Sequence, residues 1–158
     1  MEKLSLILWR ERELLATLLY KLEVERMILA SARSRWLTRA AGEVESVLEL
    51  LRETEILRAA IADEAAAESG LDAHPSLRAL AEAVDEPWRT ILLDHRDAFL
   101  TVTREIDELA DANRDLITSG YRAAREAMLT LGDAADSYSP DGTAVVSAPS
   151  RRLVDRRL

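Results

Sequence analysis

LADANRDLITSGYRAAREAMLTLG, residues 109–132, decides how the rest of the chain is read. It has the apolar spacing of an amphipathic helix, yet Asn113 falls on the apolar stripe. Gly120 lies mid-helix, where glycine costs about 1 kcal/mol relative to alanine. A polar residue and a gap on the adhesive side of a helix need a reason. Upstream the stripe is regular, because alternating steps of four and three from Trp88 give Leu92, His95, Phe99, Val102, Ile106, Leu109, Asn113, Leu116, Gly120, Ala123 and Ala127. This periodicity predicts a helix over about 87–131, roughly 65 Å long at about 1.5 Å per residue.

Towards the N-terminus a second seam runs Leu4, Leu8, Glu11, Leu15, Leu18, Leu22, Glu25, Leu29, Ala32, Trp36. Its 3.5-residue repeat is that of a coiled coil, interrupted by two glutamates. Past Trp36 the register lands on Arg39, Glu43 and Ser46, and a new stripe of Val44, Val47, Leu51, Thr54, Ile61 and Ala65 begins in another phase. A turn near LTRAAG (37–42) therefore joins two helices, about 3–37 and 40–68, into a hairpin; a kinked continuous helix is the alternative. Gly70 supplies the left-handed residue that ends a helix, Leu71 can fold back on it, and Pro75 blocks continuation. A short helix is expected over about 76–83, and Asp85, Glu86 and Pro87 mark the start of the next one. Gly132 is read as its end. The bundle domain is thus 1–132, and 133–158, rich in Ser, Pro, Asp and Gly and closing on the basic RRLVDRRL, is a flexible tail. The fold expected is all-α: an elongated antiparallel bundle of three long helices with a short connecting helix. Neither earlier helix matches the third in length, so the far end of the third should lie open.

The composition narrows the function. A formal charge of −8 argues against nucleic acid, which needs clustered cations against phosphates. Without cysteine there is no disulfide, thiolate nucleophile or thiolate metal site. The apolar run in MEKLSLILWRERELL is broken by Arg10, Glu11 and Arg12, so neither a signal peptide nor membrane insertion is expected, and the chain is read as cytoplasmic.

Reactive groups are few. His74 sits in a loop and reads as a solvated or capping histidine; His95, on the third-helix stripe, reads as a half-buried packing residue. An enzyme using His95 with Asp94 is the weakest alternative. No Glu-x-x-His pair is present for a di-iron site. Glu43, Glu45, Glu49, Glu53 and Glu55 form a solvated face interleaved with Arg52 and Arg58 rather than a metal site. No phosphate loop or nucleophile elbow occurs. Neither catalysis nor a cofactor is expected.

The helix-three segment IDELADANRDLITSGYRAAREAMLTL, followed by YSPDG a few residues beyond, resembles the FlgN family of flagellar export chaperones. RWLTRAAGEVESVLELLRETEILRAAI resembles the family's first turn and second helix, and the likeness covers roughly residues 1–145. The discriminating combination is Asn-x-x-Leu-Ile followed by Tyr-x-Pro-x-Gly; the basic ending is less typical. The resemblance implies a cytoplasmic chaperone for the C-terminal helical segments of hook–filament junction proteins. Such a chaperone keeps them from assembling early and delivers them to the flagellar export gate.

The residues suggest how a partner helix would dock. An amphipathic helix lays its apolar face into a groove. Leu116, Ile117, Met128 and Leu131 offer walls, and Ser119, Gly120, Ala123, Ala124 and Ala127 a floor. Asn113 would fix register, and Tyr121 would anchor the partner. The expected partner-binding set is Asn113, Leu116, Ile117, Gly120, Tyr121, Ala124, Met128, Leu131 and Tyr138. The internal alternative is that Gly120 and the alanines admit helix one closely while Asn113 bonds within the bundle. The competing function is a coiled-coil structural or adaptor protein that forms a homo-oligomer through the same surface.

Overall fold

The structure, a computed structural model, describes residues 1–136. It is an all-α helical bundle of α1 (Glu2–Ala30), α2 (Leu37–Glu68), α3 (Leu77–Ala83) and α4 (Trp88–Asp136). By its internal contacts the chain divides after Ile117.

In the first unit, α1 and α2 form an antiparallel hairpin. Lys3 meets Glu64, Glu11 meets Arg58 and Lys21 meets Glu43, so residue numbers fall on one helix as they rise on the other. The hairpin, not the kinked helix, is the arrangement formed. α4 runs parallel to α1, with His95 beside Trp9 and Asn113 bonded to Leu22.

Two apolar clusters hold these helices. One joins Leu4 and Leu8 of α1, Ala62, Ala65 and Ala66 of α2, Leu80 and Ala81 of α3, and Leu92 of α4. The buried α2 members are all alanine, with half-buried Ile61 packed beside them, and the small side chains let the leucines of α1 sit close to the α2 backbone. The other cluster joins Leu18, Leu22, Val47, Leu51 and Leu109. Between them in sequence on both helices lies a polar layer. Glu11 is buried, with Arg58 Nε 2.8 Å from its Oε2 in a charge contact that lacks hydrogen-bond alignment. Thr54, fully buried, donates its hydroxyl to Leu50 O at 2.8 Å. Burial pushes the Glu11 carboxyl above its usual range, and the Arg58 charge only partly offsets this. A one-turn slip of α1 along α2 would strip Glu11 of its partner, so the layer disfavours other registers.

The turn between α1 and α2 lies earlier than the periodicity suggests. α1 stops at Ala30, not 37, and Ser34–Trp36 form one 3-10 turn. Trp36, expected on the seam, is 44% exposed. The stop is a Schellman-type cap, with Arg33 N–H donating to Ile28 O and Ala32 N–H to Leu29 O. Its left-handed position is filled by Ala32 at φ 53° rather than by glycine, so the usual marker is missing. Gly42, read as part of the turn, is instead inside α2. Because a Cβ in this conformation costs about 1–2 kcal/mol, Ala32→Gly should raise the free energy of unfolding by about 1 kcal/mol in chemical denaturation. No change, or a loss, would mean that the cap does not form.

α2 ends as expected. Gly70 takes φ 70°, Leu71 N–H donates to Ala66 O, Gly70 N–H donates to Ala67 O, and Leu71 packs on the first cluster. The Ser76 side chain caps α3 by accepting the Ala79 N–H at 3.0 Å. At the start of α4 the Glu86 carboxylate accepts the Thr90 N–H. Gly132 does not end α4, which continues to Asp136; the remainder of the expected tail lies outside the described residues.

Candidate partner-binding surface

α4 changes character at Ile117. Upstream, Leu92, His95, Leu109 and Asn113 are buried and Val102, Ile106 and Leu116 are half-buried. In the second unit every side chain from Thr118 to Leu131 is exposed. Tyr121 is 72% exposed, Met128 75% and Leu131 70%, far beyond what a core helix of this apolarity shows.

These residues form a pattern. Tyr121, Ala124, Met128 and Leu131 follow steps of three, four and three, and Ile117 precedes them by four. At about 100° per residue they fall on one face, with Gly120 and Ala127 along its border. Leu129, 61% exposed, lies off that face and was not singled out by stripe counting. A β-carbon at Gly120 would meet nothing within 4 Å among the described residues, so none of them requires glycine there. Leu116 and Ile117, the latter 49% exposed, belong to the first unit and end the partly covered stretch. Tyr138 lies outside the described residues.

Asn113 stands apart from this set. It is 3% exposed, and its Nδ2 donates to Leu22 O at 2.9 Å and to Glu25 Oε2 at 3.0 Å. The polar residue on the stripe thus clamps α4 to α1 and gives Glu25, the second break in the α1 seam, its partner. The internal reading fits Asn113 and the open-surface reading fits Gly120.

Glu43 accepts from Lys21 at 2.7 Å and from Arg39 at 3.1 Å, bonds that hold its carboxyl below the usual range. Among the described residues no group of three or more His, Asp or Glu side chains could hold a metal ion. His74 is exposed at φ 59°, donating its backbone N–H to Asp63 Oδ1.

His95 is buried more completely than its stripe position suggests, at 1% exposure. Its ring meets Trp9 edge-on at 5.1 Å and stacks on Phe99 at 6.4 Å, and neither nitrogen has a hydrogen-bond partner among the described residues. The ring also lines an open cavity with Ser5, Arg12, Ile91, Asp94 and Asp97. Burial, aided by the nearby Arg12 charge and opposed by Asp94, holds its pKa below the ordinary value. The unfolded chain therefore binds the proton more readily. Stability from this group is complete above about pH 6.5, the unfolded value, and declines as pH falls below it, by at most about 1.4 kcal/mol per pH unit. His95→Leu should flatten this decline in denaturation curves recorded between about pH 7 and 5. An unchanged slope would show that His95 is not its source.

No helix among the described residues is long and apolar enough to cross a membrane. Searches of curated proteins and of solved structures each gave no match. A model of the FlgN protein family matches residues 1–145, which include all four helices. With a match over nearly its whole length, this chain belongs to the FlgN family of flagellar export chaperones.

Proposed function

We propose that the chain is a cytoplasmic chaperone that binds the C-terminal helical segments of hook–filament junction proteins, prevents their early assembly and delivers them to the flagellar export gate. Docking is assigned to the α4 face of Ile117, Tyr121, Ala124, Met128 and Leu131, with Leu116 at one end and Gly120 in the floor. The observation that carries this reading is the exposure of every side chain from Thr118 to Leu131 on a helix that is apolar along one side. An aggregation-prone amphipathic helix is shielded by laying its apolar face on such a surface. Large apolar side chains supply area, small ones allow close approach, and Met128 adapts its shape to the partner.

Asn113 acts in this scheme through the bundle, fixing α4 on α1, and not through the partner. Tyr138, also part of the proposed site, lies outside the described residues. Self-association through the same face is the competing reading.

Titration calorimetry of the full chain with the C-terminal segment of a hook–filament junction protein tests the proposal. Saturable one-to-one binding is expected, lost on replacing Tyr121 and Met128 by aspartate. Equal binding by that double variant would put the docking site elsewhere.

A further inference from the structure

We infer that the helix received by the α4 face carries a row of carboxylates along one edge of its own apolar side, and that Arg125, backed by Arg122, receives it. This rests on the docking reading above and adds the partner's charge pattern.

The chain carries a formal charge of −8, yet from Thr118 to Leu131 its charged residues are Arg122, Arg125 and Glu126. Two arginines thus stand against one glutamate along the docking stretch, with Asp133 and Asp136 following beyond it on α4. With about 100° between successive residues, Arg125 stands roughly 40° beyond Tyr121 at one border of the apolar face. Arg122 lies one step further round, within reach of a long flexible side chain, and Glu126 faces the opposite side of the helix. The other border is formed by Gly120, Ala127 and Ala123, with no charge at all. Both arginines are exposed, and neither is paired with a carboxylate among the described residues.

This asymmetry selects among occupants. In an antiparallel pair of two copies, the Arg125 border of one meets the Arg125 border of the other, which repels. In a parallel pair Arg125 meets the uncharged border and gains nothing. The chain's own ending, RRLVDRRL, has four arginines and one aspartate and is repelled by the same edge. A foreign helix with glutamates or aspartates on one flank gains both apolar burial and charge complementarity, which also discriminates against basic competitors.

Two synthetic amphipathic helical peptides with one apolar face test this, one flanked on the facing edge by glutamates and the other by lysines. Each is titrated into the full chain at low and high salt. The glutamate peptide should bind about tenfold more tightly at low salt, with the gap closing as salt rises, since exposed charge pairs are screened. In R122E/R125E the preference should invert. Equal affinities, a lysine preference, no binding of either peptide, or a stable dimer broken by Met128→Asp would each overturn the inference. Failure of the docking reading looks different: junction-segment binding would then survive Tyr121→Asp with Met128→Asp. If that variant abolishes binding while R122E/R125E shifts neither peptide, the docking face stands and only its charge selectivity falls.

Discussion

Replacing Tyr121 and Met128 together by aspartate is expected to weaken junction-segment binding at least a hundredfold and to leave thermal unfolding unchanged within a degree or so. The two halves of this result have one cause. Both side chains are mostly in water, 72% and 75% exposed, so aspartate removes little buried surface from the free chain. Surface substitutions of that kind change stability by about 0.5 kcal/mol or less. In a complex the same positions become buried anchors, and interface hot spots of aromatic or large apolar type cost roughly 2–4 kcal/mol when lost. Two carboxylates facing an apolar partner add desolvation to that cost. A double variant that unfolds early would show instead that this face is already packed in the free chain.

Leu8→Ala is expected to have the opposite profile: a stability loss of about 2–5 kcal/mol, against a total of about 5–15 for a domain this size. Leu8 is fully buried, and the buried α2 members of its cluster are Ala62, Ala65 and Ala66, which are too short to fill the gap left behind. Ile61, the one large α2 side chain packed on the cluster, is only half-buried and branched at Cβ, so it fills little of the gap. Leu6→Ala is the matched control. Leu6 is 66% exposed, so the same chemical change should cost a few tenths of a kcal/mol. A loss at Leu8 as small as that at Leu6 would mean that α1 does not seat against α2 in this register. Urea denaturation of the three proteins provides the comparison.

The contrast between Leu8 and Tyr121 also explains what could be read from the chain alone. The seams were legible because burial follows periodicity: Leu4, Leu8, Leu18 and Leu22 are buried on α1, as are Val47, Leu51, Thr54 and Ala65 on α2. Gly70 was legible because it marks a left-handed cap with the residue best suited to one. Ala32 fills the same role without that marker, so helix one appeared longer than it is, and Gly42 suggested a turn where the helix is unbroken.

Polar residues on the stripes had two meanings that spacing does not separate. Glu11, Glu25 and Asn113 have partners on other helices, Arg58 for the first and each other for the second and third. Such pairings join residues far apart in sequence, 88 positions in the case of Glu25 and Asn113, and periodicity along one helix carries no information about them. Gly120, by contrast, has nothing outside its own turn of helix within 4 Å of where its Cβ would stand among the described residues. Helix length alone suggested exposure towards the end of α4, but the division between Asn113, bonded within the bundle, and Tyr121, an exposed side chain, is visible only in the packed helices.

Hydrogen–deuterium exchange of the full chain, free and saturated with a junction-protein C-terminal segment, tests the docking assignment most directly. In the free chain, amides from Thr118 to Leu131 should exchange much faster than those flanking Leu8, Leu51 and Leu92, because tertiary burial does not reinforce their helix. On binding, strong protection should appear over 117–131 and leave α2 unchanged. Slow exchange of 118–131 before any partner is added, or protection confined to α1 and α2, would contradict it.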